Sequence, residues 1–274
     1  MAIRFGKGAK WLNIPLSLTL LVLSVSLIGS YLAFSSVQSH TARSIQTYFD
    51  YRVRESINRI ESRVEINEEV LRGLKGLFKA SKSVEREEFR RYVSSLRLAD
   101  QFPGIQGVGF SLIIPSAEID NHIAAIRREG FPTYSIYPEG QRETYTSIIY
   151  LEPFSDRNLR AFGYDMYSEA IRHAAMQRAL ESGNLTLSGK VKLVQESGQN
   201  EQAGFLMYLP IYRNDKPHTL LSERRENIIG WVYSVFRMDD FMEGLHGKRS
   251  NDLNIEIYDG DVISNKTLMH NSDR

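Results

Sequence analysis

Cysteine is absent from all 274 residues. That omission removes disulfide frameworks, thiolate zinc sites and cysteine nucleophiles together, and it is compatible with an oxidising compartment. An excess of charge is also absent. With 34 Lys and Arg against 33 Asp and Glu, the net charge is +1, so no bulk attraction draws the chain to nucleic acid. No basic stripe with interleaved aromatics stands out. The motifs G-x-x-x-x-G-K-[ST], G-x-G-x-x-G and G-x-S-x-G are missing. The histidines, His40, His122, His173, His218, His246 and His270, are scattered without H-E-x-x-H or paired spacing. No metal site, no cofactor and no catalytic residue is therefore expected.

One long hydrophobic run is present. Trp11 to Phe34, "WLNIPLSLTLLVLSVSLIGSYLAF", carries no charged residue over 24 positions, enough to cross a bilayer with some tilt. Arg4, Lys7 and Lys10 precede it, so residues 1–10 belong in the cytoplasm and everything after Phe34 outside. The apolar core exceeds that of a cleaved signal peptide and "YLAFSSVQSH" offers no A-x-A cleavage site, so 11–34 reads as an uncleaved anchor. "NIIGWVYSVF", Asn227 to Phe236, is too short for a second span and reads as a buried strand.

Residues 35–82 follow as a stalk. Ile45, Phe49, Val53, Ile57, Ile60, Val64, Val70, Leu71, Leu74 and Phe78 fall mostly at three- and four-residue steps, with no proline among them, the mark of an amphipathic helix. From about Ser39 to Lys79 such a helix is about 60 Å long. Its apolar stripe outruns one small domain, which points to homodimerisation along it; the alternative is a stripe covered by its own domain. Ser83 reads as the cap of a second helix, with Glu85 and Glu87 in a first turn that suits the dipole, and "FPG" at Phe102 to Gly104 stops it.

Strands and short helices follow. "IQGVGFSLIIP", "TYSIYP", "YTSIIYLEP", "LTLSGKVKLVQE", "AGFLMYLPIY", "NIIGWVYSVF" and "LNIEIYDG" read as strands. "SAEIDNHIAAIRREG", "SEAIRHAAMQRALESG" (opened by Ser168, closed by Gly183) and "MDDFMEGLHG" read as helices. Strands follow one another too closely for parallel crossovers, so the fold class is α+β, an antiparallel sheet with helices over one face.

The stretch "EPFSDRNLRAFGYDMYSE", Glu152 to Glu169, sets charged groups among Phe154, Phe162, Tyr164 and Met166. A polar group buried there without a partner costs several kcal/mol, so the stretch is a candidate site. Glu152, Asp156, Asp165 and Glu169 are the carboxylates a hydrolase would need, but clusters of this kind are mostly solvated turns and caps.

Tyr150 to Glu196, "YLEPFSDRNLRAFGYDMYSEAIRHAAMQRALESGNLTLSGKVKLVQE", resembles the central motif of CHASE domains. The resemblance lies in the "EP…N…G-D" run, the helix with "R..A...A...G", the "LTLSGKVKL" strand and "LPIY" downstream. "FPGIQGVGFSLIIP", before an Arg-containing helix and a Tyr-Pro turn, fits the same family. These are extracytoplasmic sensor modules of histidine kinases, diguanylate cyclases and adenylate cyclases, the plant cytokinin receptors among them. The likeness spans about Glu87 to Asp240.

The resemblance implies a long stalk helix and two PAS-like subdomains, with ligand in the membrane-distal one. It implies dimers that signal through a second membrane helix to a cytoplasmic kinase or cyclase. On this reading 83–240 is the CHASE-type sensor domain and 241–274 the end of the membrane-proximal subdomain, truncated at Arg274. The chain is a membrane-anchored receptor region, periplasmic, in the cell inner membrane, and not an enzyme by itself. In cytokinin receptors the aspartate similar to Asp165 hydrogen-bonds the adenine edge of the ligand, which a carboxylate acceptor suits. Asp165 can equally serve the dipole of the helix capped by Ser168. Leu187 resembles a pocket-wall residue. Leu206 and Tyr208, on one strand face by two-residue periodicity, resemble the pocket floor; the alternative for all three is core packing. Tyr208 stands where the cytokinin receptors carry a small threonine, so its phenol reshapes the cavity. The expected ligand is a small molecule, purine-like or a peptide. The runner-up is a membrane-tethered dimerisation or partner-binding domain with a collapsed pocket. A third reading is a hydrolase using Asp156, Asp165 or Glu169.

Overall fold

The structure is a computed structural model that describes residues 16–196, 198, 201–243, 245 and 253–273. The chain divides into two compact units, Met1–Glu55 and Ser56–Arg274.

Helix α1 spans Leu16–Ala80 as one continuous element. The membrane segment and the stalk, expected as separate parts, are therefore a single helix. Residues 17–34 contain no charged side chain, and the helix is long and apolar enough there to cross a membrane. Residues 11–15 of the expected span lie outside the described residues. In the first unit the side chains of Ile45, Tyr48, Phe49 and Tyr51 are all exposed.

The second unit is built on a sheet. After α1 come α2 (Arg86–Ser95), α3 (Leu98–Gln101), β1 (Ile105–Pro115), α4 (Ile119–Arg128) and β2 (Thr144–Glu152). They are followed by α5 (Ala170–Ser182), β3 (Thr186–Leu187), β4 (Gly204–Tyr212), α6 (Leu221–Asn227), β5 (Ile228–Arg237) and α7 (Met238–Met242). A hairpin of β6 (Glu256–Tyr258) and β7 (Leu268–Asn271) completes the described elements. Five strands form one antiparallel sheet in the order β2-β1-β5-β4-β3. β6 and β7 form a separate two-stranded sheet.

Both faces of the large sheet are covered, where helices over one face were expected. The reason is visible in β4 and β5, which are apolar at nearly every position; every residue of β4 is buried. Phe205, Met207, Leu209 and Ile211 face one core with Val70, Leu71 and Leu74 of α1 and Phe89 and Val93 of α2. Leu206, Tyr208 and Tyr212 face a second core with Ala175, Met176, Ala179 and Leu180 of α5. Each fully buried large side chain contributes about 1.5–3 kcal/mol. The last turns of α1 are thus a structural part of the sheet unit.

Local departures have local causes. The cap of α2 is Glu85, whose backbone N–H donates to the Glu88 carboxylate at 3.5 Å; Ser83 Oγ donates instead to Glu85, at 3.3 Å. The cap of α5 is Glu169, not Ser168, because its carboxylate accepts from the N–H groups of Ile171 (2.9 Å) and Arg172 (3.0 Å). Ser168 lies one residue earlier in a short 3₁₀ turn, Met166–Ser168. "TYSIYP" forms no strand and makes only an isolated bridge, Tyr137 to Tyr164. In "LTLSGKVKLVQE" the strand stops at Leu187. Beyond it Lys190 N–H donates to the Asp259 carboxylate (2.8 Å), and a Cβ at Gly189 would stand 2.7 Å from that same oxygen. The expected helix 238–247 is described over Met238–Met242; His246 lies outside the described residues.

Candidate functional site

The α5-facing side of the sheet is where the candidate residues gather. The chain leaves β2 at Glu152 and runs through Pro153 into a 3₁₀ turn, Asp156–Ala161. Asn158 is buried and pins that turn, donating to the carbonyls of Gln106 (3.2 Å) and Pro153 (3.0 Å). Asp156, exposed and left-handed at φ 49°, only shapes the turn.

Gly163 then brings three segments together. Its φ is +87°, and a Cβ there would press directly on the Ser135 carbonyl, so only glycine suits the position. Its N–H donates to the Ile148 carbonyl (3.0 Å) and its carbonyl accepts from Tyr137 N–H (3.1 Å). Asp165 N–H closes the junction by donating to the Tyr137 carbonyl at 2.7 Å. This stitch turns the Asp165 side chain toward β2.

Asp165 is fully buried. Its Oδ1 accepts from Thr146 N–H (2.9 Å), Thr146 Oγ1 (2.9 Å) and Tyr167 N–H (3.0 Å). The other oxygen, Oδ2, lies 3.4 Å from the Arg142 guanidinium and has no hydrogen-bond partner. The Tyr167 bond makes Asp165 the cap of the Met166–Ser168 turn. Asp165 thus caps the turn before α5, while the carboxylate at the start of α5 is that of Glu169.

Beside it, two phenols stand on neighbouring strands. Tyr208 of β4 and Tyr233 of β5 are register partners with ring centroids 6.3 Å apart, and both are fully buried. Neither hydroxyl has a hydrogen-bond partner among the described residues. Burial raises the pKa of both; at Tyr208 the Arg172 charge opposes the rise. The hydroxyls therefore stay neutral, each able to donate and to accept. Around them, Tyr137 and Tyr164 pack at 5.5 Å and Tyr167 and Trp231 at 5.5 Å. The Arg172 guanidinium lies 5.5 Å from the Tyr164 ring centroid, pairs with Glu169 (3.1 Å) and donates to the Lys192 carbonyl (2.7 Å).

Among the four residues singled out from sequence, Asp165, Leu206 and Tyr208 belong to this side of the sheet. Leu187 does not. It pairs with Met207, which faces the α1 core, so Leu187 points to the opposite side of the sheet and is 41% exposed. Leu206 is an interior packing residue, 2% exposed. The carboxylates of a hydrolase are not assembled: Asp156 is on a surface turn, Glu169 caps α5, and Asp165 Oδ1 is committed to three donors.

The arrangement has hydrogen-bonding capacity left over. The Tyr208 and Tyr233 hydroxyls are buried with no hydrogen bond among the described residues to offset a desolvation cost of about 1–3 kcal/mol each, and Asp165 Oδ2 has the Arg142 charge at 3.4 Å but no hydrogen bond. Together with Arg142 they present an acceptor, a cation and two donor-acceptors on one sheet face, suited to a small molecule with mixed polar edges and an apolar or aromatic body. Sequence reasoning missed Arg142, Thr146, Arg172 and Tyr233. The alternation of Trp231, Tyr233 and Val235 along β5 was available as a signal for Tyr233; nothing local marked Arg142.

A family model for the CHASE domain matches residues 82–270. No curated protein sequence matches the chain. Among solved structures, the periplasmic sensory domain of the Campylobacter jejuni chemoreceptor Tlp1 is similar at 9% sequence identity, with 81% of this chain and 72% of that one covered and a TM-score of 0.39.

Proposed function

We propose, from the premise that the chain belongs to the CHASE family of extracytoplasmic sensor domains, that it is the ligand-sensing region of a receptor anchored in the inner membrane by α1. A small molecule binds on the α5 side of the sheet, between Asp165 and Arg142 on one side and Tyr208 and Tyr233 on the other. One observation carries this reading: two buried phenol hydroxyls with no hydrogen-bond partner among the described residues stand on the sheet face that also carries Asp165, whose Oδ2 meets only the Arg142 guanidinium at 3.4 Å. The phenols take space that a small side chain would leave open, so the ligand is more compact than one read by a threonine at position 208. A purine or a short peptide meets the mixed polarity.

Binding shifts an existing equilibrium between arrangements of α1, and it does so only by the difference in ligand affinity between them. The output is a cytoplasmic histidine kinase or nucleotide cyclase. The second reading, a membrane-tethered dimerisation domain, rests on Ile45, Phe49 and Tyr51, which expose their side chains along the first unit's helix.

The test is thermal unfolding of the detergent-solubilised chain against purines, cytokinin-like adenines, amino acids and short peptides. A ligand at about 100 times its Kd adds about 2.7 kcal/mol, a rise of roughly 5–11 °C for a domain of this size. Loss of that rise in Asp165→Ala supports the site. No rise with any compound, in a chain that forms a stable dimer, moves the assignment to the second reading.

A further inference from the structure

A polar cavity of about 90 Å³ lies at the end of α1 where it meets the loop after β4. Lys75 and Lys79 line it from the helix, and Arg213, Lys216 and His218 line it from the loop, with Asp215 the single acidic residue among them. Lys75 and Lys79 are spaced i,i+4, which destabilises a helix by about 0.2–0.5 kcal/mol when the charges are alike. The pKa of Lys75 is lowered, first by burial and then by the Arg72 and Lys79 charges. Among the described residues, Lys75, Lys79, Arg213 and Lys216 take part in no ion pair.

The surroundings hold this geometry. Asn214 donates to the carbonyls of Phe78 (3.1 Å) and Ser81 (3.0 Å), tying the loop to the end of α1. The Tyr212 ring stacks on His218 at 4.9 Å and meets Lys75 Nζ at 5.9 Å, and its hydroxyl is fixed on the Leu180 carbonyl at 3.1 Å. The negative end of a helix dipole accounts for a lysine in the last turn. It does not account for Arg213 and Lys216 arriving from a different segment to face the same hollow. The volume is well below the roughly 300–1,000 Å³ of sites for drug-sized ligands, so the cavity takes a single compact group.

We propose that this cavity binds a tetrahedral oxyanion, either free phosphate or a phosphoryl or sulfate group carried by a larger molecule, between Lys75 and Lys79 of α1 and Arg213 and Lys216 of the facing loop. The cavity shares no lining residue with the Asp165–Tyr208–Tyr233 group and does not rest on the reading given to that group. Because it joins the end of α1 to β4, an anion bound there fixes the helix against the sheet.

The test is calorimetric titration of the detergent-solubilised chain with inorganic phosphate and with glycerol phosphate, at ionic strength held constant with chloride to remove screening differences. Saturable one-to-one binding is expected, weakened at least tenfold in Lys75→Gln and in Lys216→Gln and unchanged in Arg128→Gln, a charge on α4 that does not line the cavity. Binding of phosphate itself identifies a free anion; saturable binding of glycerol phosphate alone identifies an anionic group on a larger molecule. Absence of saturation by either up to about 10 mM, or equal weakening in all three variants, overturns the proposal. Should Lys75→Gln lower the thermal midpoint sharply, Lys216→Gln on the exposed loop carries the test.

Discussion

Removing the hydroxyl of Tyr208 should make the ligand-free protein more stable. Most tyrosine-to-phenylalanine changes in a core do the opposite, because a buried hydroxyl normally holds a hydrogen bond worth about 0.5–1.5 kcal/mol net. Tyr208 is fully buried and its hydroxyl has no such bond. Tyr208→Phe therefore relieves a desolvation cost of about 1–3 kcal/mol at the expense of a void the size of one oxygen, leaving about 1 kcal/mol of stabilisation. For a domain of this size that raises the thermal midpoint by roughly 2–4 °C. Tyr233→Phe should act alike, and because the two rings are register partners the double variant need not be additive. Tyr212 is the internal control of opposite sign. Its hydroxyl donates to the Leu180 carbonyl at 3.1 Å, so Tyr212→Phe should lose about 1 kcal/mol. Scanning calorimetry of the detergent-solubilised variants without ligand reads all three. A loss of 1 kcal/mol or more in Tyr208→Phe would refute the reasoning, since it would mean the hydroxyl is bonded within the protein.

Three further outcomes follow from the geometry. Gly163→Ala should cost at least about 2 kcal/mol, because it forces a left-handed Cβ onto the Ser135 carbonyl; urea unfolding measures it, and a neutral result would mean the Tyr137–Gly163 stitch is not formed. His122 bonds Tyr134 at 2.8 Å, and burial lowers its pKa from 6.5 to about 4. The unfolded chain thus binds the proton first, so this contribution is whole above pH 6.5 and is lost as pH falls toward 4; after allowance for solvent screening it is about 1–2 kcal/mol. A His122→Gln variant should lose that part of the acid sensitivity, and an unchanged stability profile between those pH values would count against it. Glu196 is buried against Arg237 at 2.8 Å, and Arg237 also reaches Asp240 at 2.7 Å. Glu196→Ala should therefore cost about 1–3 kcal/mol, because the guanidinium loses one carboxylate and keeps Asp240, and a loss below about 0.5 kcal/mol in denaturant titration would contradict that.

Periodicity carried the sequence reading wherever one period ruled a whole element. The three- and four-residue steps from Ile45 to Phe78 are the face of a real helix, and the alternation in "AGFLMYLPIY" separates Leu206 and Tyr208 from Met207 as it should. Reading failed where a contact from far along the chain decides the local conformation. Leu187 sits in a segment of strand-like composition, but its strand is two residues long, and Asp259, over 70 positions later, takes the Lys190 N–H that a continuing ladder would have used. Ser168 has the side chain of a cap, but Glu169 does the capping because the Asp165 turn holds Ser168 one residue outside the helix.

The candidate site shows why a buried polar cluster is only half legible. Asp165 was visible because its own neighbours, Gly163 and the helix after it, mark a turn. Its counter-charge, Arg142, lies 23 positions earlier in an irregular loop and reaches Oδ2 only because Gly163 joins that loop to β2. Tyr233 has no charged residue within three positions, only Ser234 beside it; its place at the site comes through register, opposite Tyr208. A site of this kind is a property of pairing between distant strands, and the sequence names a member of each pair only when its strand also carries a local signal. The unpartnered hydroxyls make the same point energetically. Nothing in the local sequence asks for a buried phenol without an acceptor, and the sheet holds two side by side at a desolvation cost that no hydrogen bond among the described residues offsets.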